Sequence, residues 1–125
     1  MSSTILPIMV VDDEVELARL FKTFLQNDGY NAISFVDPVL ALEHFRQTSD
    51  KYSLIITDLR MPGLGGIDLA KSMRTLGAPD IKILLMTAFD VRHLEVQPNY
   101  IEARIDKLLQ KPIRFSELRT MINEL

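Results

Sequence analysis

Five polar residues each stand at the end of a short apolar run, and together they have the chemistry for phosphoryl transfer. They are Asp12, Asp13, Asp58, Thr87 and Lys111. Three carboxylates brought together repel one another, and a hard divalent cation such as Mg²⁺ relieves that repulsion. A carboxylate can form an aspartyl phosphate, and a lysine amine can bind phosphoryl oxygens.

These residues meet only if the runs before them form one sheet. Branched apolar residues predict strands over 8–11, 31–35, 53–57, 81–86 and 107–110. Helical spacing predicts helices over 14–27, from 38 onward, 67–76, 91–103 and 115–125. Such alternation predicts an α/β fold with a parallel sheet and helices on both faces. Ligands of such sheets bind beyond the carboxyl ends of the strands, where the five residues would lie.

Local signals add detail to the helices. The first helix has an apolar stripe predicted to be core: Leu17, Leu20, Phe21, Phe24 and Leu25. Asp37 and Pro38 are typical of an N-cap followed by proline in the first turn, and Val39 is expected on the apolar side of that helix. Residues 61–66 are predicted to be a loop. Pro98 is predicted to break or offset the fourth helix.

Composition narrows the function classes. The chain has 125 residues, which predicts one domain, and 47% of them are hydrophobic, which is enough for a packed core. The absence of cysteine excludes disulfides, thiolate zinc sites and cysteine nucleophiles. A net charge of −3 gives no support for direct nucleic-acid binding. The apolar stretch 5–11 is too short to span a membrane, so a cytoplasmic location is expected.

Four stretches of the chain, taken in order, resemble the response-regulator receiver family of two-component signalling. They are VVDDE (10–14), LIITDLRMPG (54–63), MTA (86–88) and KP (111–112). The resemblance covers essentially the whole chain and implies a single receiver domain over 1–125. It also implies a flavodoxin-like (βα)5 three-layer sandwich, with five parallel strands in the order 2-1-3-4-5.

The resemblance implies a role for each site residue. Asp58 would be the phosphoacceptor. Asp12, Asp13, Asp58 and the backbone carbonyl of Arg60 would hold Mg²⁺. Thr87 would contact the phosphoryl group, and Lys111 would bind it from the other side.

The resemblance also implies partners and a peptide-bond geometry. The phosphoryl donor would be a sensor histidine kinase or a phosphotransfer protein, and phosphorylation would switch binding to an output partner. The domain would be a signalling module that assists its own phosphorylation and dephosphorylation, not an enzyme in the usual sense. The Lys111–Pro112 peptide bond is often cis in the family.

Several positions depart from the family pattern. Leu108 stands where an aromatic switch residue is common, and Arg104–Ile105 replace the usual Gly-Ala before the last strand. Arg60 and Phe89 stand at two positions that, in the family, tune how fast the acyl phosphate hydrolyses. A long cation and a bulky ring there predict a slowly decaying phosphoryl state.

Other interpretations stay open at this point. Asp12, Asp13 and Thr87 are also typical of strand ends and helix caps. An aspartate-nucleophile phosphatase usually has a second aspartate where Arg60 stands, and a flavodoxin-like electron carrier would need a phosphate loop in place of Asp12 and Asp13. A pseudo-receiver would bind partners without phosphorylation.

The sequence determines neither the oligomeric state nor whether the chain is part of a longer protein. The apolar residues Val91, Leu94 and Ile101 suggest a homodimer through the face between the fourth and fifth helices. The sequence is compatible with a stand-alone receiver and with a fragment of a longer regulator.

Overall fold

A computed structural model describes residues 7–48, 51–76, 80–88 and 94–125. Five strands form one sheet: β1 (Ile8–Val11), β2 (Ala32–Phe35), β3 (Leu54–Asp58), β4 (Lys82–Thr87) and β5 (Lys107–Gln110). The helices are α1 (Val15–Asn27), α2 (Pro38–Thr48), α3 (Gly66–Thr75), α4 (Pro98–Ala103) and α5 (Phe115–Glu124). Within residues 94–125, a 3₁₀ turn at Leu94–Val96 precedes α4. The predicted strands and helices are confirmed to within about a residue outside the fourth helix.

The sheet is parallel, with the order β2-β1-β3-β4-β5. β1 pairs with both β2 and β3, which places Val11 opposite Phe35 and Thr57. The strand ends that carry Asp12 and Asp58 are therefore neighbours. The predicted α/β class and strand order are confirmed.

Alternating strand residues separate two apolar cores, one on each face of the sheet. Met9, Val11 and Ile55 pack with residues of α2 and α3, including Phe45 and Met73. On the other face, strand residues pack against residues of α1 and α5. The strand residues include Ile8, Val10, Ile56 and Leu84, and the helix residues include Phe21, Leu25 and Leu118. Burial on both faces explains why the strands are continuous apolar runs.

The predicted cap of α2 is confirmed, because the Val39 N–H donates to Asp37 Oδ1 over 2.9 Å. Two apolar predictions are wrong. Leu20 is 51% exposed and Val39 is 48% exposed. Leu20 lies at the margin of the apolar stripe of α1, whereas Val39 lies on the side of α2 away from the buried residues Pro38, Ala41 and Phe45.

The fourth helix is shorter than predicted. Pro98 occupies the first turn of α4, where its missing N–H costs no helical hydrogen bond, so the helix begins there instead of being broken. Residues 91–93 of the predicted helix lie outside the described residues. Helix α3 begins at Gly66, a residue that the sequence assigned to the preceding loop.

Candidate functional site

The carboxylates of Asp12, Asp13 and Asp58 come together at the carboxyl edge of the sheet. Asp12 and Asp13 directly follow β1, and Asp58 is the last residue of β3. One carboxylate oxygen from each lies within 4.8 Å of the others. Asp12 is fully buried and Asp58 is 8% exposed. The structure thus brings together the three carboxylates that the sequence singled out.

Lys111 lies against this cluster. Its Nζ is 3.3 Å from Asp12 Oδ2 and 3.3 Å from Asp58 Oδ1. The backbone N–H of Lys111 donates to the Thr87 carbonyl over 2.7 Å, which fixes the lysine beside the end of β4. The Lys111–Pro112 peptide bond is cis, as expected. One ammonium therefore bridges two buried carboxylates that stand on neighbouring strands.

Glu14 is a neighbour that sequence reasoning did not assign to the site. Its Oε1 lies 3.8 Å from Lys111 Nζ, and its backbone N–H donates to Asp12 Oδ1 over 2.9 Å. That N–H and Lys111 occupy both oxygens of Asp12, so the Asp12 side chain is held in one orientation. The run of three acidic residues at 12–14 was the only signal for Glu14 in the sequence.

Burial and charge shift the pKa values in the site. Burial raises the pKa of Asp12 above its ordinary value, although the Glu14 N–H and Lys111 oppose the shift. Burial also raises the pKa of Asp58, against Lys111. Burial alone would lower the pKa of Lys111, but attraction to Asp12 and Asp58 outweighs it and raises that pKa. The Lys111 ammonium therefore stays charged. For Asp12 and Asp58, burial raises the pKa by more than the opposing groups lower it.

The donor set fits a hard divalent cation. Three carboxylates lie together, and Lys111 is the ammonium seen beside two of them within the described residues. All of the candidate ligands are oxygens, which Mg²⁺ prefers. Arg60 is exposed and follows β3 by two residues. The proposed use of its backbone carbonyl stays a prediction.

Thr87 ends β4 and is 1% exposed. Its register partner on β5 is Gln110, the residue before Lys111. This register places Thr87 and Lys111 on adjacent strand ends. Leu108, at the family's switch position, is half-buried on β5. Phe89, named in the prediction of slow decay, lies outside the described residues.

Comparison with known proteins shows the family. The model of the response regulator receiver domain matches residues 8–123. The chain belongs to this receiver family. Receiver domains are signalling domains of two-component systems that interact with histidine kinases or phosphotransfer proteins and with output domains. The family binds Mg²⁺ at its acidic pocket.

Curated relatives include proteins of different lengths. The receiver protein CpdR of Brucella abortus is 30% identical over 118 residues, which cover 94% of this chain and 92% of CpdR. The response regulator RppA of Synechocystis is 29% identical over 94% of this chain, but the match spans only 49% of RppA. The match to ZraR of Klebsiella oxytoca, 30% identical over 99% of this chain, spans 27% of that regulator.

Solved structures agree with the fold. TrrA of Thermotoga maritima, solved in complex with Mg²⁺ and beryllium fluoride, has a TM-score of 0.80 and is 32% identical, with 96% of this chain and 98% of TrrA covered. A chemotaxis protein of Vibrio cholerae has a TM-score of 0.87 over 97% of this chain and 98% of its own, at 20% identity. The second comparison supports the fold alone.

Membership in the receiver family excludes the electron-carrier and phosphatase interpretations as descriptions of this chain.

The described ranges contain no helix long and apolar enough to cross a membrane.

Proposed function

We propose that this receiver domain takes a phosphoryl group onto Asp58 from a phosphohistidine and thereby switches binding to an output partner. The observation that carries the proposal is the position of Lys111 Nζ, 3.3 Å from both Asp58 and Asp12, within a cluster of three carboxylates. The Lys111 ammonium beside Asp58, together with a cation that the carboxylates would hold, would supply the charge neutralisation that phosphoryl transfer requires. The unit that performs this is the single domain over 1–125.

The chemistry at Asp58 is a displacement at phosphorus. A carboxylate oxygen of Asp58 forms a bond to phosphorus as the phosphorus–nitrogen bond of the donor breaks, and the imidazole leaves with the electron pair. Lys111 moves its hydrogen bonds from the Asp58 carboxylate to a phosphoryl oxygen. The Thr87 hydroxyl donates to another. Hydrolysis is a separate step: the oxygen of a water molecule forms a bond to phosphorus as the bond to the Asp58 oxygen breaks. The phosphoryl group leaves as inorganic phosphate with the protons of the water, and the carboxylate is restored.

Asp12, Asp13, Asp58 and the Arg60 carbonyl would hold Mg²⁺, which when bound neutralises charge on the phosphoryl oxygens. Within the chain itself, the Glu14 N–H and Lys111 hold both oxygens of Asp12 and so orient this candidate ligand. Asp12 is fully buried, whereas Asp58 is 8% exposed and is therefore open to a donor at the edge of the sheet.

The direct test is phosphoryl uptake from acetyl phosphate, with and without Mg²⁺. We expect uptake of one phosphoryl group by the wild type that requires Mg²⁺ and is lost in Asp58→Asn. Asp68→Asn, which changes an exposed aspartate on α3, is the matched control and should behave as the wild type. A folded wild type that takes up no phosphoryl group would instead support a pseudo-receiver.

An apolar groove beside Lys111 is the proposed contact surface for the donor protein. It has a volume of about 450 Å³ between α1 and the segment after β5, and its lining includes Leu17, Leu20, Phe21 and Phe115. Lys111 forms part of the lining, so a helix seated there would bring a phosphohistidine close to Asp58.

The variant Leu20→Asp tests the groove separately from the phosphoryl chemistry at Asp58. With an autophosphorylated histidine kinase that phosphorylates the wild type, we expect slower transfer to Leu20→Asp but unchanged uptake from acetyl phosphate. Leu40→Asp is the control, because Leu40 is similarly exposed at 59% but lies on α2, away from the groove. Equal kinase transfer to both variants would refute this contact surface.

The homodimer through the face between α4 and α5 stays a prediction. Ile101 is 59% exposed there, whereas Val91 lies outside the described residues. Light scattering with and without beryllium fluoride and Mg²⁺ tests it, and a monomeric mass under both conditions would contradict it.

A further inference from the structure

The short helix α4 has little apolar attachment of its own. Helices this short are marginal in isolation, so their positions depend on contacts with neighbours. Among the six residues of α4, all of which are described, only Ala103 is buried, and Ile101 is 59% exposed. Apart from Ala103 and the half-buried Tyr100, α4 therefore depends on polar contacts with its neighbours.

Two cations of α3 supply those contacts. Lys71 Nζ donates to Asn99 Oδ1 over 3.1 Å and lies 2.9 Å from Glu102 Oε1. Arg74 donates from Nε to the Ala103 carbonyl over 3.0 Å and from Nη2 to the Arg104 carbonyl over 2.7 Å. The last carbonyls of a helix lack partners within the helix, so Arg74 satisfies groups that would otherwise need water. We call Lys71 and Arg74, with these four partners, the α3–α4 clamp.

Arg74 is itself fixed to the sheet. Its Nη1 donates to the Ile81 carbonyl, and its Nη2 donates to Asp106 Oδ2 over 3.3 Å. The same Asp106 oxygen accepts the backbone N–H of Ile83 over 2.8 Å. The Arg74 side chain is only 6% exposed. The clamp therefore ties α4 to the backbone at the starts of β4 and β5.

The opposite end of α3 touches the phosphoacceptor. Helix α3 begins at Gly66, where any Cβ would overlap the backbone carbonyl oxygen of Asp58. The Gly66 N–H also donates to the Leu59 carbonyl over 2.8 Å. One helix thus rests on the backbone of Asp58 at its first turn and holds α4 at its last turns.

We propose that the α3–α4 clamp holds α4 in its unphosphorylated position and thereby restrains the switch that phosphorylation of Asp58 sets off. This inference rests on the proposed function, since it requires Asp58 to be the site where the switch is triggered. Contacts that stabilise only the unphosphorylated arrangement oppose, by linkage, the binding of a phosphoryl group. Loosening the clamp should therefore favour the phosphorylated arrangement.

The test measures the affinity of the whole chain for beryllium fluoride in the presence of Mg²⁺, a mimic of the phosphoryl group. We expect Lys71→Gln and Glu102→Gln each to bind it about twofold to fivefold more tightly than the wild type, the range of a partly exposed ion pair. Arg74→Lys, which keeps the charge but loses the planar donor geometry, should give a larger shift in the same direction.

Lys107→Gln is the matched control. It breaks the Lys107–Glu124 pair, whose side chains are 39% and 57% exposed, compared with 41% and 58% for Lys71 and Glu102. That pair joins β5 to α5 and leaves the clamp intact, so its variant should bind as the wild type does. General destabilisation of the fold would weaken binding, which is opposite to the expected shift.

Each outcome of the beryllium fluoride measurement either supports or overturns the proposed clamp. Tighter binding in the clamp variants, with Lys107→Gln unchanged, supports the clamp as a restraint. Unchanged or weaker binding in the clamp variants overturns this inference while leaving the proposed function in place. A wild type that does not bind beryllium fluoride, or binds it as well as Asp58→Asn does, overturns the proposed function and this inference with it.

Discussion

At the residue scale, Lys111 decides the electrostatic balance of the site. Its ammonium bridges Asp12 and Asp58 at 3.3 Å, and its side chain is 14% exposed. Without that ammonium, two buried carboxylates would face each other and lose hydrogen bonds, a change that typically costs about 1–3 kcal/mol.

We therefore expect Lys111→Met to lower the free energy of unfolding in the absence of Mg²⁺ by about 1–3 kcal/mol, measured by urea denaturation. Saturating Mg²⁺ should remove much of the loss, because a divalent cation compensates the same carboxylates. Lys82→Met, at an exposed position of β4, should change little. An equal loss in both variants would contradict this role of Lys111.

The raised pKa of Asp58 gives a pH dependence with a defined sign. Burial is the main cause of the shift, so in the fold the charged form is less favourable than in the unfolded chain. At neutral pH without Mg²⁺, Asp58→Asn should thus be more stable than the wild type. As the pH falls through the raised folded-state pKa toward 3.8, the wild type takes up the proton in the fold first and the difference shrinks.

Urea denaturation of both proteins in EDTA, over a series of acidic buffers, measures that difference. A constant difference across the series would show that Asp58 titrates alike in the folded and unfolded states.

The clustering of Asp12, Asp13, Asp58 and Lys111 could be predicted from the sequence, because each follows an apolar run and parallel strands end at one edge. Glu14 and Arg74 could not. The distance from Glu14 to Lys111 depends on the orientation of an exposed side chain. The hydrogen bonds of Arg74 to the Ala103 and Arg104 carbonyls depend on how α3 packs against α4. Neither leaves a periodic pattern in the sequence.

At the element scale, Gly66 allows α3 to begin directly against Asp58. A Cβ at residue 66 would overlap the Asp58 carbonyl oxygen, whereas one at Gly65 would lie 3.3 Å from the Leu59 carbonyl oxygen. We expect Gly66→Ala to lower the free energy of unfolding by about 1–3 kcal/mol, since the clash forces the backbone apart. It should also slow phosphoryl uptake, because Asp58 is displaced.

Gly65→Ala is the control, with a smaller loss and near-normal uptake, measured by urea denaturation and by uptake from acetyl phosphate. Similar effects of the two substitutions would refute a special role for the contact at residue 66.

The end of α4 holds a non-glycine residue in the left-handed region. Arg104 has φ 51° and caps the helix at a position that favours glycine. Arg104→Gly keeps the backbone carbonyl that Arg74 uses and relieves the backbone, so we expect a gain of about 0.5–1 kcal/mol in the free energy of unfolding.

Lys22→Gly, which also replaces a basic residue by glycine but in the middle of α1, should instead lose about 1 kcal/mol. Thermal or urea denaturation of both variants measures the contrast. A loss in Arg104→Gly would mean that its side chain stabilises the fold by more than the backbone relief.

The boundaries of the strands could be predicted from the sequence, whereas those of α4 could not. The strands were predictable because their apolar runs are bounded by polar and turn residues. The extent of α4 was not, because the pattern over 91–103 is helical throughout while Pro98 suits a helix start as well as a break. Leu20 is half-exposed because periodicity identifies an apolar face and not the width of the surface that covers it.

At the scale of the whole molecule, the end of α1 is joined to α5 by the Asp28–Arg119 pair. Arg119 donates to both oxygens of Asp28, over 2.7 and 2.9 Å, and its guanidinium lies 5.1 Å from the Phe24 ring centroid. Phe24 stacks on Phe115 with ring centroids 4.4 Å apart. These contacts hold together the two helices that border the groove beside Lys111.

The hydrogen bonds from Arg119 lower the pKa of Asp28. The pair's contribution to stability is therefore complete above pH 3.8 and is lost as the pH falls through the lower folded-state pKa. We expect Asp28→Asn to be less stable than the wild type at neutral pH and to approach it in strong acid, as followed by urea denaturation. A deficit that persists in strong acid would show that charge is not the cause.

Every proposed role in the site depends on which carboxylate accepts the phosphoryl group. The most direct measurement is to incubate the wild type with acetyl phosphate and Mg²⁺ and to locate the modified residue by peptide mass spectrometry. We predict a single phosphoryl group on Asp58 and none on Asp12 or Asp13. A phosphoryl group on Asp12 or Asp13, or none on a folded protein that binds Mg²⁺, would contradict the central claim.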